Sequence, residues 1–245
     1  MSIASQIIRI KETLPEQVRL IAVSKFHSVE AIQEAYDAGQ RVFGENRVQE
    51  LLGKYPQLPA TVEWHFIGHL QVNKAKYIVP FIDTVQSVDS MKLLDELNRC
   101  AAKARCRIKV LLQIHIAREE HKFGFSFAEA EELLKSNFSE TWTNLTICGL
   151  MGMATFTDDP DNIRKEFTSL QAFFVRLKQS CLAENTDFKE LSMGMSDDYL
   201  LAIEAGSTMV RIGSKIFGAR TTVMSSTAKK DFTRKTPGQT HLNLY

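Results

Sequence analysis

Apolar residues along the chain fall into short runs separated by stretches of helical spacing. The runs are 19–25 (RLIAVSK), 41–46 (RVFGEN), 62–68 (VEWHFIG), 81–88 (FIDTVQSV), 107–116 (RIKVLLQIHI), 145–153 (LTICGLMGM), 189–195 (KELSMGM) and 209–213 (MVRIG). Each has the length and β-rich content of a strand. Between the first two, SVEAIQEAYDAG puts Val29, Ile32, Ala35 and Tyr36 on one helical face, with Ser28 as N-cap and Gly39 as C-cap. Met91, Leu94, Leu97 and Ala101 make a second stripe, and Ser126 and Glu129 have the spacing of a capping box. Ile163, Phe167, Leu170, Phe174, Leu177 and Cys181 predict a long helix, with Asn162 as its expected cap. At the N-terminus, Ile3, Ile7, Ile10 and Leu14 alternate with charged residues as an amphipathic surface helix does, and a secretion signal does not.

Strict alternation of strand and helix predicts a parallel sheet, because each parallel connection needs a crossover. An open doubly wound sheet competes with a closed barrel. About eight repeats favour an α/β fold of the (β/α)₈ TIM-barrel type, and no GxGxxG follows the first strand to recommend a dinucleotide-binding sheet. The expected organisation is one barrel domain over 1–220. A loosely held tail is expected over 221–245, where the sequence has no sustained period and is rich in Ser, Thr and Lys.

Charge narrows the partners. With 30 Lys and Arg against 29 Asp and Glu, the chain has no global field to gather nucleic acid or an anionic membrane surface. No apolar run approaches the roughly 20 residues that cross a bilayer, so the expectation is a cytoplasmic protein handling a small molecule. Cys100, Cys106, Cys148 and Cys181 show neither CxxC nor zinc-ligand spacing, and read as reduced thiols rather than metal ligands.

Barrel sites are built at the C-terminal ends of the strands. The first strand ends in Val23-Ser24-Lys25, which puts an amine at a low-dielectric mouth where a neutral form can attack an aldehyde. A lysine in that place also serves as a solvated edge charge. The seventh and eighth strands end in SMGMSDD (192–198) and RIGSKIFG (211–218), with glycines for close approach and serines for anion contacts. Ser196 is expected to start a helix ending at Gly206, and Gly213 and Ser214 offer backbone donors for a phosphate. Asp197 and Asp198 fit equally well as charges on the first turn of that helix.

AVSK (22–25), FGENRVQE (43–50), WHFIGHLQVNK (64–74), GLMGM (149–153), LSMGMSDD (191–198) and VRIGSKIFGAR (210–220) together resemble the pyridoxal phosphate homeostasis protein family. The resemblance runs in one order through most of the chain. It implies a barrel related to the cofactor-binding domain of alanine racemase, with pyridoxal 5′-phosphate as an internal aldimine on Lys25. It matches Ser196, Gly213 and Ser214 to the phosphate, Arg211 to the pyridine nitrogen, and Asn46 and His65 to strand ends near the ring. His69 and Lys74 read as loop packing and a surface charge. His115 stands where the family usually has asparagine, and the stretch after Met153 departs from the usual proline-bearing one.

The function implied is a carrier that buffers pyridoxal phosphate without efficient turnover, acting as a monomer. Its expected partners are the cofactor itself and pyridoxal-phosphate-dependent apoenzymes. An arginine at the ring nitrogen makes a weak electron sink, because a guanidinium donates a hydrogen bond but does not give up its proton. An amino-acid racemase or decarboxylase is the alternative, and requires a second base. A cofactor-free Schiff-base aldolase working through Lys25 ranks last.

Overall fold

In a computed structural model, which describes residues 1–118 and 123–218, every apolar run contains a strand. These are β1 (Arg19–Val23), β2 (Val42–Glu45), β3 (Glu63–Phe66), β4 (Thr84–Val88), β5 (Ile108–Ile114), β6 (Leu145–Gly152), β7 (Glu190–Ser192) and β8 (Met209–Ile212). They pair in parallel in chain order, and β8 returns to β1 with Ile21 beside Arg211, so the sheet closes into a barrel. The helix α1 (Ile3–Thr13) precedes β1. Between strands run α2 (Val29–Asp37), α3 (Val48–Lys54), α4 (Ala75–Ile78), α5 (Met91–Ala104), α6 (Phe127–Lys135), α7 (Phe138–Thr141), α8 (Pro160–Lys178) and α9 (Tyr199–Glu204), and α10 (Ser214–Phe217) follows β8. The expected tail, 221–245, lies outside the described residues.

Local chemistry sets most helix ends. Ser28 accepts a hydrogen bond from the Ala31 N–H to start α2, and Gly39 takes a φ of +87° just past its end. The Ser126–Glu129 capping box forms in both directions. Three expectations need correction. Asn162 does not cap α8; Asp159 does, accepting from the N–H groups of Asp161 and Asn162, because Pro160 is ready-shaped for the first helical position. Cys181 is exposed and lies beyond the end of α8. Met91 is also exposed, and Leu93 takes its place in the buried stripe of α5.

The period of two along each strand sorts side chains into two cores. Leu20 and Ala22 of β1 join the large core between sheet and helices, whereas Ile21 joins a smaller cluster with Val42, Leu111, Cys148, Met151 and Met209. That second set is the lumen of the barrel, filled with side chains as closed eight-stranded sheets are. Buried polar groups share the lumen: His65, Gln86 and Ser192 are wholly inaccessible, and Arg211 nearly so. No helix among the described residues is long and apolar enough to cross a membrane.

Candidate functional site

A cavity of about 290 Å³ opens where the strands end. Val23, Lys25, Phe26 and His27 form its β1 side, Asn46 and Ile67 the β2 and β3 side, and Met153 and 195–197 the far wall. Arg211, Gly213, Ser214 and Gly218 close the β8 side. Six residues singled out in the sequence therefore meet here: Lys25, Asn46, Ser196, Arg211, Gly213 and Ser214. His65 does not line the cavity. On β3 the side chains of Glu63, His65 and Ile67 share one face, and Ile67 is the one that reaches the cavity level, leaving His65 sealed in the lumen below.

Tight backbone approaches fix the walls. A Cβ on Gly68 would sit 2.6 Å from the Asn46 carbonyl oxygen, so a glycine there lets the ends of β2 and β3 press together. The Asn46 side-chain oxygen Oδ1 is buried, with no hydrogen-bond partner among the described residues. Opposite, Gly194 has φ +88°, and a Cβ there would lie 2.6 Å from that of Ala202. This turn carries the chain to Ser196, whose Oγ accepts the Gly213 N–H at 3.2 Å and ties the ends of β7 and β8 together. The helix expected from Ser196 begins only at Tyr199, and Asp198 does not cap it, because its carboxylate accepts the Met195 N–H instead.

Arg211 brings a buried cation to the cavity. Burial pushes its pKa down to about 10, which leaves it protonated at neutral pH. Its Nη2 donates to the Gly152 carbonyl at 3.0 Å, and its Nη1 to Ser192 Oγ at 2.6 Å. From there a chain of donors runs down the lumen: Ser192 Oγ to Gln86 Oε1 at 2.7 Å, Gln86 Nε2 to His65 Nδ1 at 2.7 Å, and His65 Nε2 to Glu63 Oε1 at 2.9 Å. This matching assigns His65 the tautomer with its proton on Nε2. Glu63 is held down at about pKa 2, first by the His65 hydrogen bond and also by Arg19, whose Nη2 lies 2.6 Å away. Glu63, His65 and Asp83 lie close enough together to suggest a metal site, but Arg19 and Lys109 already neutralise the two carboxylates.

His27 was not among the residues singled out in the sequence. Its ring stacks on Phe217 with centroids 4.8 Å apart, and burial, helped by the charge of Lys54, holds its pKa below the usual histidine value. The only sequence signal for it was its place two residues beyond Lys25. His69 and Lys74 lie off the cavity: His69 Nδ1 meets Asp89 at 2.7 Å under the Phe123 ring, and the Lys74 ammonium sits over Tyr77.

Comparison with known proteins settles the relationship. The model of the family described as "Alanine racemase, N-terminal domain" matches residues 1–221. The pyridoxal phosphate homeostasis protein of Pasteurella multocida is 43% identical over 206 residues, covering 83% of this chain and 87% of the relative. The chain belongs to the pyridoxal phosphate homeostasis protein family. A further member, from Synechocystis, is 38% identical over 227 residues, covering 89% of this chain and 98% of its own. Among solved structures, PipY of Synechococcus elongatus without PLP superimposes with a TM-score of 0.83 at 37% identity, over 89% of this chain and all of PipY. PipY with PLP bound gives a TM-score of 0.79. Alanine racemase from Streptomyces coelicolor shares the fold at 20% identity and a TM-score of 0.71, and the match spans 58% of that longer chain.

Proposed function

We propose that this chain binds pyridoxal 5′-phosphate (PLP) covalently at Lys25 and carries or buffers it without efficient turnover. The observation that bears most weight is the meeting, in one cavity, of Lys25 from β1 with Arg211, Gly213 and Ser214 from the end of β8 and Ser196 from the end of β7. The buried Asn46 Oδ1 on the wall, without a partner among the described residues, fits a polar ligand, and the volume lies near the lower bound of roughly 300 Å³ for small-molecule pockets. Ser196, Gly213 and Ser214 would hold the phosphate, and Arg211 would donate to the ring nitrogen. PLP, when bound, would supply an aldehyde, and Lys25 would present the amine to link with it, one water leaving for each linkage made.

Arg211 supports the carrier role over catalysis. Its two lumen hydrogen bonds hold it in place, and as a guanidinium it does not transfer a proton to the ring nitrogen, so the ring withdraws electrons weakly. One observation favours the racemase or decarboxylase reading: His27, with its lowered pKa, stands on the same cavity wall as a possible second base. Borohydride reduction followed by mass spectrometry is expected to place a pyridoxyl-phosphate adduct on Lys25, and Lys25→Ala to abolish the absorbance of the linked cofactor. An unmodified Lys25 would end the covalent reading. Vigorous turnover of an amino acid would end the carrier reading, with delivery to dependent apoenzymes as its sequel.

A further inference from the structure

The FGENRVQE segment gives only Asn46 to the cavity wall, yet its two glutamates and the lysine that follows converge on Lys25 from behind. Lys54, the last residue of α3, is buried; its Nζ donates to the Ser24 carbonyl at 2.9 Å and to Glu45 Oε1 at 2.7 Å. The same Glu45 oxygen accepts the Ser24 hydroxyl at 2.7 Å. One turn earlier in α3, Glu50 Oε2 accepts the Phe26 N–H at 2.8 Å and lies 3.4 Å from Lys54 Nζ. Both peptide groups flanking Lys25 are thus held by side chains of one helix, the preceding C=O by Lys54 and the following N–H by Glu50. Phe26 itself has φ +67°, a left-handed conformation that a phenylalanine keeps only where its surroundings impose it.

Stability is a poor explanation for this arrangement. Desolvation largely offsets the attraction within a buried ion pair, and apolar replacements of similar volume often do as well. Glu45 Oε2 has, in addition, no hydrogen-bond partner among the described residues. The cluster does fix geometry: with both flanking peptides clamped, the Cα–Cβ bond of Lys25 has one direction.

We propose that Glu50 and Lys54, backed by Glu45, are positioning residues that set the direction in which Lys25 enters the cavity. The proposal rests on the reading of Lys25 as the covalent anchor. Forming the bond between Nζ and the aldehyde carbon, with loss of one water, requires the amine to dwell within reach of that carbon. A four-carbon side chain swinging from a loose backbone spends little time there.

The test follows the rate at which apoprotein links PLP, read by absorbance and confirmed by borohydride trapping at Lys25. Amide hydrogen exchange across residues 24–27 is measured alongside. In Glu50→Ala and in the apolar double variant Glu45→Leu/Lys54→Met, linkage is expected to slow about 10- to 100-fold, the scale of a small misplacement of a reacting group. Exchange at the Phe26 N–H should quicken in Glu50→Ala with little change in its denaturation midpoint, whereas the double variant should lose stability because the buried Ser24 hydroxyl and carbonyl lose their partners. Glu50→Gln, whose amide oxygen still accepts from Phe26, should keep the wild-type rate. If the double variant does not fold, Glu50→Ala decides alone, since the Glu50 side chain is only partly buried. Wild-type linkage rates in the disrupted variants would overturn the clamp and leave the anchor standing. A wild-type protein with no adduct on Lys25 would overturn the anchor itself.

Discussion

Ser196 and Lys25 are proposed to grip opposite ends of the ligand, so their substitutions should separate phosphate recognition from aldehyde chemistry. Removing a hydrogen bond to a charged group costs about 1.5–3 kcal/mol, so Ser196→Ala is expected to weaken PLP binding roughly 10- to 100-fold. Pyridoxal, which lacks the phosphate, should bind the variant as it binds wild type; spectral titration with both aldehydes decides, and equal losses would contradict the role. His27 makes a pH prediction. Its folded pKa lies below the ordinary 6.5, so the unfolded chain takes up the proton more readily. Stability should therefore fall as pH drops through 6.5, with the whole loss in place below the folded value. Histidine NMR titration should show the depressed pKa, and Glu45→Leu/Lys54→Met should raise it only partway, because burial outweighs the Lys54 charge. A His27 titrating at 6.5 or above would refute this.

Among the elements, the strand ends were legible because their chemistry is local, and the lumen was not. Lys25 and Gly213 end apolar runs and Ser196 and Ser214 directly follow them, so a reader who knows that barrel sites lie at strand ends finds them from order alone. His65 lay in such a run too, but whether a side chain reaches the mouth depends on its level in the barrel, which one strand's sequence does not contain. The links from Ser192 to Gln86 and from Gln86 to His65 join β7, β4 and β3, positions far apart in the chain. Helix starts were read unevenly: Ser28 and Ser126 cap as expected, while a proline shifted the cap of α8 to Asp159. The lumen chain has its own test. Gln86→Leu strips partners from both the Ser192 hydroxyl and His65 Nδ1, and should cost about 2–5 kcal/mol as two buried polar groups lose their hydrogen bonds. Chemical denaturation measures it, and a loss under about 1 kcal/mol would show that the lumen repacks or admits water.

For the molecule as a whole, the alternation of strand and helix carried the architecture, and no single motif was needed for it. The resemblance then joined that architecture to a cofactor through residues scattered from Lys25 to Ser214. What stayed hidden was support: Glu45, Glu50 and Lys54 fall on a strand end and a helix whose pattern reads as ordinary, and only the folded chain brings them behind Lys25. The pairing of β8 with β1 has a further consequence. The residues on either side of this seam come from opposite ends of the barrel sequence, and they become neighbours only when the ring of staves is complete. A ligand fastened to the first stave and gripped beyond the last would be a rivet across the joint. It would hold the finished hoop more tightly than the unfastened chain, so each increment of that preference would tighten the vessel that holds it.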